Sequence, residues 1–246
     1  MRAMVLAAGL GTRLRPLTDD RPKALVTVAG RTLLEIALGR LRSFGVREAI
    51  VNAHHHAEMI VEYLKAHDNF GMRIEVSRED LLLDTGGGLK QAAHFFLETP
   101  EPFILHNVDV LSTIDFERMV RFHRKHEALV TMAVQARETS RYLLFDAQGE
   151  LCGRRAGLAG EPEWARPPQT TQALAFSGIH VISPRIFAKM TEEGAFSIIP
   201  AYLRLASQGE KILAYRMDDC YWRDLGRPES LAQAAEDMNS GRYTAT

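Results

Sequence analysis

The chain has 246 residues, 46% hydrophobic and 25% charged, a balance that excludes a disordered or fibrous chain and leaves room for one large core. Lys and Arg number 30 against 31 Asp and Glu, so no global field gathers nucleic acid or an anionic membrane, and any anion site has to be built locally. Cys152 and Cys220 form no C-x-x-C pair and suit a reducing, cytoplasmic setting, and the apolar stretch ending at Ala8 is too short for a signal core or a membrane span.

In chain order, residues 4–7 read as a buried strand. Leu33, Leu34, Ile36, Ala37, Leu41 and Phe44 mark one helix face, with Gly45 as its stop. A strand follows at 49–53, then a helix carried by Met59, Ile60, Tyr63 and Leu64, and a strand at 73–76. Gly86-Gly87-Gly88 opens a helix running to Phe95 or Phe96, ahead of a strand at 102–105 and a helix at 116–126. Strands alternating with helices predict a mostly parallel α/β sheet with helices on both faces. The second half predicts strands at 128–135, 142–145 and 151–154, an exposed loop over 157–170, and a strand at 174–182. A helix from Pro184 and another at 196–206 follow, then strands at 212–216 and 221–224. A last helix runs from Pro228 to Met238 before a frayed tail at 239–246. His123 and His126 share a helix face and read as surface residues. The triplet His54-His55-His56 points its rings in different directions, and Asn52 stands at a strand end where it can touch a ligand.

The first strand breaks into Gly9-Leu10-Gly11-Thr12-Arg13, and Pro22-Lys23 comes ten residues after that arginine. Glycines at a strand end bare backbone N–H groups, and a nearby arginine and lysine suit a phosphate chain. A Walker A loop needs a Gly-Lys-Ser/Thr ending that is absent here. A dinucleotide fingerprint needs a third glycine where Leu14 stands. Two aspartates follow apolar strands, Asp109 in His106-Asn107-Val108-Asp109 and Asp224 in Tyr221-Trp222-Arg223-Asp224-Leu225-Gly226-Arg227-Pro228. Two carboxylates plus phosphate oxygens suit Mg²⁺, which keeps its waters and takes few protein ligands.

The run Leu6-Ala7-Ala8-Gly9-Leu10-Gly11-Thr12-Arg13-Leu14-Arg15-Pro16-Leu17-Thr18, followed by Pro22-Lys23-Ala24-Leu25, resembles the signature of the sugar-1-phosphate nucleotidylyltransferases, L-A-A-G-x-G-T-R-x-x-P-L-T then P-K. The resemblance extends to the Asp109 and Asp224 elements. The loop Leu83-Asp84-Thr85-Gly86-Gly87-Gly88 looks most like the N-acetylmuramate-1-phosphate uridylyltransferase branch. The departures are Ala24 for a second proline and Val108 for the glycine before the aspartate.

The resemblance implies a Rossmann-like mixed sheet of the nucleotide-diphospho-sugar transferase type, in one domain over 1–246. Residues 1–127 would form the nucleotide half and 128–238 the sugar-phosphate half. The chain ends too soon after Asp224 for a C-terminal β-helix. Arg13 and Lys23 would be catalytic. Leu6, Ala8, Gly9, Gly11, Thr12, Arg13, Thr85, Gly86 and Gly87 would bind the nucleotide, the glycines forming an open cradle for the base. Lys23, Asn107, Asp109, Ser177 and Gly178 would bind the sugar phosphate, and Asp109 and Asp224 would hold Mg²⁺. No second lysine precedes the 174–182 strand, a place open to Arg141, Arg154 or Arg155.

The partners implied are a nucleoside triphosphate and a sugar 1-phosphate, with no nucleic acid and no membrane, on a monomer or homodimer. Uridylyl transfer to an amino-sugar phosphate competes with guanylyl transfer to mannose 1-phosphate and with cytidylyl transfer. A silent nucleotide-sugar-binding regulatory subunit would lack the charged set that is present here, and Leu14 disfavours a nicotinamide-dependent dehydrogenase.

Overall fold

The computed structural model describes residues 1–244. Strand β1 (Arg2–Leu6) leads through a loop and two 3-10 turns, Thr12–Leu14 and Lys23–Leu25, to the hairpin β2 (Thr27–Val28) and β3 (Arg31–Thr32). Thr32 caps α1 (Leu33–Ser43), its Oγ1 accepting from the Glu35 N–H at 3.0 Å. Then come β4 (Glu48–Ala53), α2 (Ala57–Ala66), β5 (Arg73–Arg78), the short helices α3 (Asp84–Gln91) and α4 (Ala93–Leu97), and β6 (Phe103–Asn107). Strand β7 (Val110–Ser112), α5 (Phe116–Lys125), β8 (Val130–Gln135), β9 (Arg141–Phe145), β10 (Leu151–Ala156) and β11 (Pro162–Trp164) follow. The chain continues through β12 (Gln172–Ile182), a 3-10 segment Pro184–Lys189, α6 (Ile198–Ser207), β13 (Ile212–Arg216), β14 (Trp222–Asp224) and α7 (Pro228–Asn239).

Ten strands form one mixed sheet. Within it β5, β4, β1 and β6 are parallel neighbours in that order, so the chain builds outward from β1 to β5 and then returns to lay β6 on the other edge of β1. That reversal opens a crevice beyond the carboxyl ends of β1 and β6. Strand β12 runs antiparallel to its neighbours. One of its edges takes β9 along residues 172–175 and β6 along 179–182, and the other takes β8. Strand β13 extends the sheet parallel to β8. Side chains alternate across β1: Ala3 and Val5 join the core of α1, α2, α5 and α7, whereas Met4 joins that of α3, α4 and α6. Both faces are covered, as a parallel sheet requires.

Four expectations need correction. The 157–170 stretch contains β11, which pairs with β10 with Gly153 opposite Trp164; a side chain at Gly153 would meet the Glu163 carbonyl at 2.7 Å. The glycine-rich helix begins at Asp84, ahead of its glycines, and breaks at Ala92. The tail is docked as far as Tyr243, which is buried and donates its N–H to the Asp237 carbonyl at 3.0 Å; residues 245–246 lie outside the described residues. His123 is buried, its ring nitrogens each 2.9 Å from the hydroxyl of Thr131 or Ser183, because the helix face it shares turns onto β8 rather than to solvent.

Burial holds His106 and His123 at a pKa of about 4 and His180 at about 3. Unfolded, each titrates near 6.5, so below that pH the unfolded chain binds more protons than the folded one and stability falls. Thermal melts stepped from pH 7 to 4.5 are expected to show a steady loss of Tm, worth about 1.4 kcal/mol per histidine per pH unit. A flat Tm would mean these rings are not held neutral.

Candidate active site

The glycine loop is tied down at both ends. The Ala7 N–H donates to Asn52 Oδ1 at 2.7 Å just past β1, and Leu14, fully buried, plugs the 3-10 turn into the core. Between them Thr12 and Arg13 are exposed, and a methyl on Gly9 would meet nothing within 4 Å, so the backbone there is open. Leu6 is half-buried at the strand end and Ala8 is buried behind the loop. Gly11 has φ 64, a left-handed conformation that starts the turn, and a side chain on it would press on Thr18 Cγ2 at 2.9 Å and Lys23 Cβ at 3.0 Å. The Thr18 hydroxyl donates to the Gly11 carbonyl at 2.9 Å, fixing the loop against the stem of Lys23.

Lys23 is mostly buried and its ammonium pairs with Asp109 Oδ2. Asp109 lies just beyond β6. Strands β7 and β14 pair antiparallel there, Asp224 opposite Val110, and the Leu225 N–H donates to the Asp109 carbonyl at 2.8 Å. The two acids therefore stand on adjacent rungs although 115 positions separate them in sequence. Asp224 Oδ1 accepts from the Gly226 N–H at 2.9 Å. A methyl on Gly226 would sit 2.6 Å from Arg13 Nη2 and 2.8 Å from Asp224 Oδ1, so the bare glycine makes room for the arginine beside the acid. Arg13, Lys23, Asp109 and Asp224 thus converge at one end of the sheet. Val108 turns into the core and its N–H extends the ladder to the Leu6 carbonyl at 3.1 Å.

Among the described residues no three His, Cys, Asp or Glu side chains gather as a complete metal centre. Asp109, in the turn after β6, and Asp224, at the end of β14, offer two carboxylates of the kind that suit a small cation drawing its other ligands from phosphate and water.

Next to this charge cluster lies a cleft of about 830 Å³ lined by Asn107, Gly178, Thr85, Arg137, Trp222 and Asp224, among others. Gly178 has φ 75 at the irregularity of β12, and a side chain there would strike Val110 Cγ2 at 2.7 Å and Asn107 Nδ2 at 3.0 Å. Ser177 does not line the cleft. It is fully buried, its hydroxyl has no hydrogen-bond partner among the described residues, and its carbonyl accepts from Trp222 Nε1 at 2.8 Å. His180, on the same strand, lines the cleft and hydrogen-bonds to the Tyr202 hydroxyl at 3.1 Å.

The second glycine run is not an open cradle. Gly86 and Gly87 are buried, and both N–H groups donate to the Phe196 carbonyl, at 2.9 and 3.3 Å. A methyl on Gly86 would overlap the Phe196 ring, and one on Gly87 the Gly194 carbonyl. The room that these glycines create is filled by the chain itself; Thr85, one residue earlier, does line the cleft and accepts from the Ile198 N–H at 3.0 Å.

Asn52 is likewise committed to the protein. Its amide donates to Glu79 Oε1 at 2.6 Å, and Glu79 Oε2 accepts from the Leu83 N–H at 2.9 Å. A buried chain from Ala7 through Asn52 and Glu79 to Leu83 thereby ties the two glycine segments together.

Arg137 escapes a reading by motif, because only the end of an apolar strand precedes it. Arg141, Arg154 and Arg155 also line the cleft, with Arg154 paired to Glu163 at 2.7 Å.

No helix among the described residues is long and apolar enough to cross a membrane. The family described as Nucleotidyl transferase matches residues 2–241. The N-acetylmuramate alpha-1-phosphate uridylyltransferase of Caulobacter vibrioides is 34% identical over 242 residues, covering 93% of each chain. The mannose-1-phosphate guanylyltransferase catalytic subunit beta of Drosophila pseudoobscura pseudoobscura is 31% identical, and the match covers 93% of this chain but 60% of that protein. Two solved structures share the fold. HddC from Yersinia pseudotuberculosis, complexed with GMP-PN, has a TM-score of 0.76 at 21% identity over 96% of this chain and 99% of its own. The inositol-1-phosphate CTP transferase from T. maritima has a TM-score of 0.74 at 16% identity, over 97% and 94%.

Proposed function

The chain belongs to the sugar-1-phosphate nucleotidylyltransferase family, and on that premise we propose that it transfers a uridylyl group from its triphosphate to an amino-sugar 1-phosphate, releasing pyrophosphate. The observation that carries this reading is the convergence of Arg13, Lys23, Asp109 and Asp224 beside the glycine loop at the carboxyl ends of β1 and β6. The choice of uridylyl and amino sugar is supported by the Caulobacter relative, which is matched over nearly its whole length.

The attacking oxygen belongs to a phosphate already ionised at neutral pH, so the reaction needs no general base. What it needs is two polyanions held in line. The open backbone around Gly9 and the exposed Thr12 and Arg13 take the triphosphate, with Leu6 and Ala8 behind them and Thr85 towards the base. The Arg13 fork suits the departing pyrophosphate. Lys23 is placed to neutralise the α-phosphate as the bond to the leaving group lengthens. Asn107 and Gly178 border the sugar phosphate, with Ser177 acting only through its backbone. Asp109 and Asp224 would hold Mg²⁺, which when bound supplies charge neutralisation for both phosphates. In this reading residues 1–127 serve the nucleotide and residues 128–238 the sugar phosphate, in a cytoplasmic enzyme.

Guanylyl transfer to mannose 1-phosphate is the second reading, favoured by the 31% identical guanylyltransferase. A panel of four triphosphates against amino-sugar, mannose and glucose 1-phosphates, read by pyrophosphate release, separates the two. The highest kcat/KM is expected for UTP with an amino-sugar 1-phosphate. A preference for GTP with mannose 1-phosphate overturns the first reading, and silence with every pair overturns both.

A further inference from the structure

The cleft contains a cation that enters no ion pair among the described residues. Arg137 follows directly on β8 and lies over the Trp222 ring, its guanidinium carbon 3.7 Å from the centroid. One Nη donates to the Phe176 carbonyl at 2.7 Å, the other reaches the Glu138 carbonyl at 3.5 Å, and Nε is buried without a partner. None of the ion pairs among the described residues includes Arg137. Most of the arginines that do form ion pairs are on the surface, where water would solvate them in any case; this one is half-buried, with its hydrogen bonds spent on neutral backbone oxygens and its face on an aromatic ring. Burial works against its charge and the nearby Asp224 carboxylate works for it, with burial the larger effect.

The placement is firm. Trp222 is pinned from behind by its bond to the Ser177 carbonyl and stands two residues before Asp224 on β14. Phe176 and Ser177 belong to β12, so the guanidinium is held between β12 of the main sheet and β14 of the small sheet beside it. A planar fork immobilised in this way loses little freedom on meeting an anion. Arg137 lines the cleft together with Asn107, Gly178 and Asp224, whereas Arg13 and Lys23 do not line it.

We propose that Arg137 binds the phosphate of the sugar 1-phosphate. This rests on the reading of the cleft as the sugar-phosphate site. A phosphate, rather than a sugar hydroxyl, is the ligand because the position adjoins Asp224, the acid given to the ion between the two phosphates. A desolvated guanidinium with open hydrogen-bonding capacity is completed by an anion with several oxygens. The competing role is a plain counter-charge to Asp224, which would affect metal and both substrates alike.

The test uses the full chain, Mg²⁺ and whichever pair of triphosphate and sugar 1-phosphate makes the wild type release pyrophosphate fastest. Arg137→Gln is expected to raise the KM for the sugar phosphate roughly 10- to 100-fold, the worth of one charged hydrogen-bonded contact. The KM for the triphosphate and the Mg²⁺ concentration for half-maximal rate should move less than about threefold. Arg137→Lys keeps the charge but loses the fork and the stack, so its sugar-phosphate KM should fall between wild type and Arg137→Gln. It also supplies the reading if the glutamine variant does not fold. An unchanged sugar-phosphate KM in a folded variant, or a parallel rise in both KM values and the Mg²⁺ requirement, overturns the assignment while the proposed reaction stands. A wild type that releases pyrophosphate with no pair overturns both.

Discussion

Lys23→Ala and Asp109→Ala are each expected to lower kcat by about 10²-fold or more at saturating substrates, with a smaller effect on the KM for the triphosphate. The reason is where the charges stand. The Lys23 ammonium is mostly buried at the carboxyl end of the parallel strands, paired with an acid that follows β6 and shares a rung with the Asp224 strand. A charge held there in advance stabilises negative charge growing on phosphorus without reorganising at the moment of reaction. Removing either partner also leaves the other unpaired, so Asp109→Asn, which keeps shape and some hydrogen bonding, is the companion variant. Circular dichroism and a thermal melt establish folding, and pyrophosphate release measures turnover. Turnover within a few-fold of wild type in a folded Lys23→Ala protein would remove this lysine from the reaction.

Gly87→Ala is expected to act on stability and hardly at all on nucleotide binding. The added methyl would overlap the Gly194 carbonyl, a backbone atom that cannot rotate out of the way, in a place where two N–H groups already converge on Phe196. Overpacking of this kind typically costs about 1–3 kcal/mol, and for a chain of this size each kcal/mol lowers Tm by about 2–4 °C. In protein that stays folded at the assay temperature, the KM for the triphosphate should match wild type. Gly9→Ala is the control with the opposite expectation: its methyl meets nothing, so Tm should hold and any loss should appear in binding or turnover. A Gly87→Ala protein with normal Tm and a raised triphosphate KM would restore the open-cradle reading of that loop.

The contrast between those two glycines shows how far a sequence can be read. Gly9 and Gly87 look alike in the chain, each in a glycine-rich run beside a predicted element. One faces open space and the other is sealed by residues more than a hundred positions away. The same holds for polar residues. His123 and His126 share a predicted helix face, yet the His123 ring bridges Thr131 and Ser183 inside the protein while the His126 ring meets the Phe122 carbonyl of its own helix. Asn52 stands at a strand end where a ligand could reach it, but both ends of its amide are taken, by Ala7 and Glu79. Strand β11 is three residues long in a stretch rich in glycine, proline and charge, and its pairing depends on Gly153 of a different strand.

By itself the sequence determined the alternation of strands and helices in the first half, the glycine loop after β1, and the family to which the chain belongs. Those features are written in short-range terms: side-chain period, turn chemistry and a run of adjacent residues. Only the tertiary structure decided which glycines are open, which histidines are buried, that Asp109 and Asp224 stand on adjacent rungs, and that Arg137 is stacked in the cleft outside the ion pairs of the described residues. Each of these is set by what packs against a residue from far along the chain, and such contacts arise only when the sheet closes on itself.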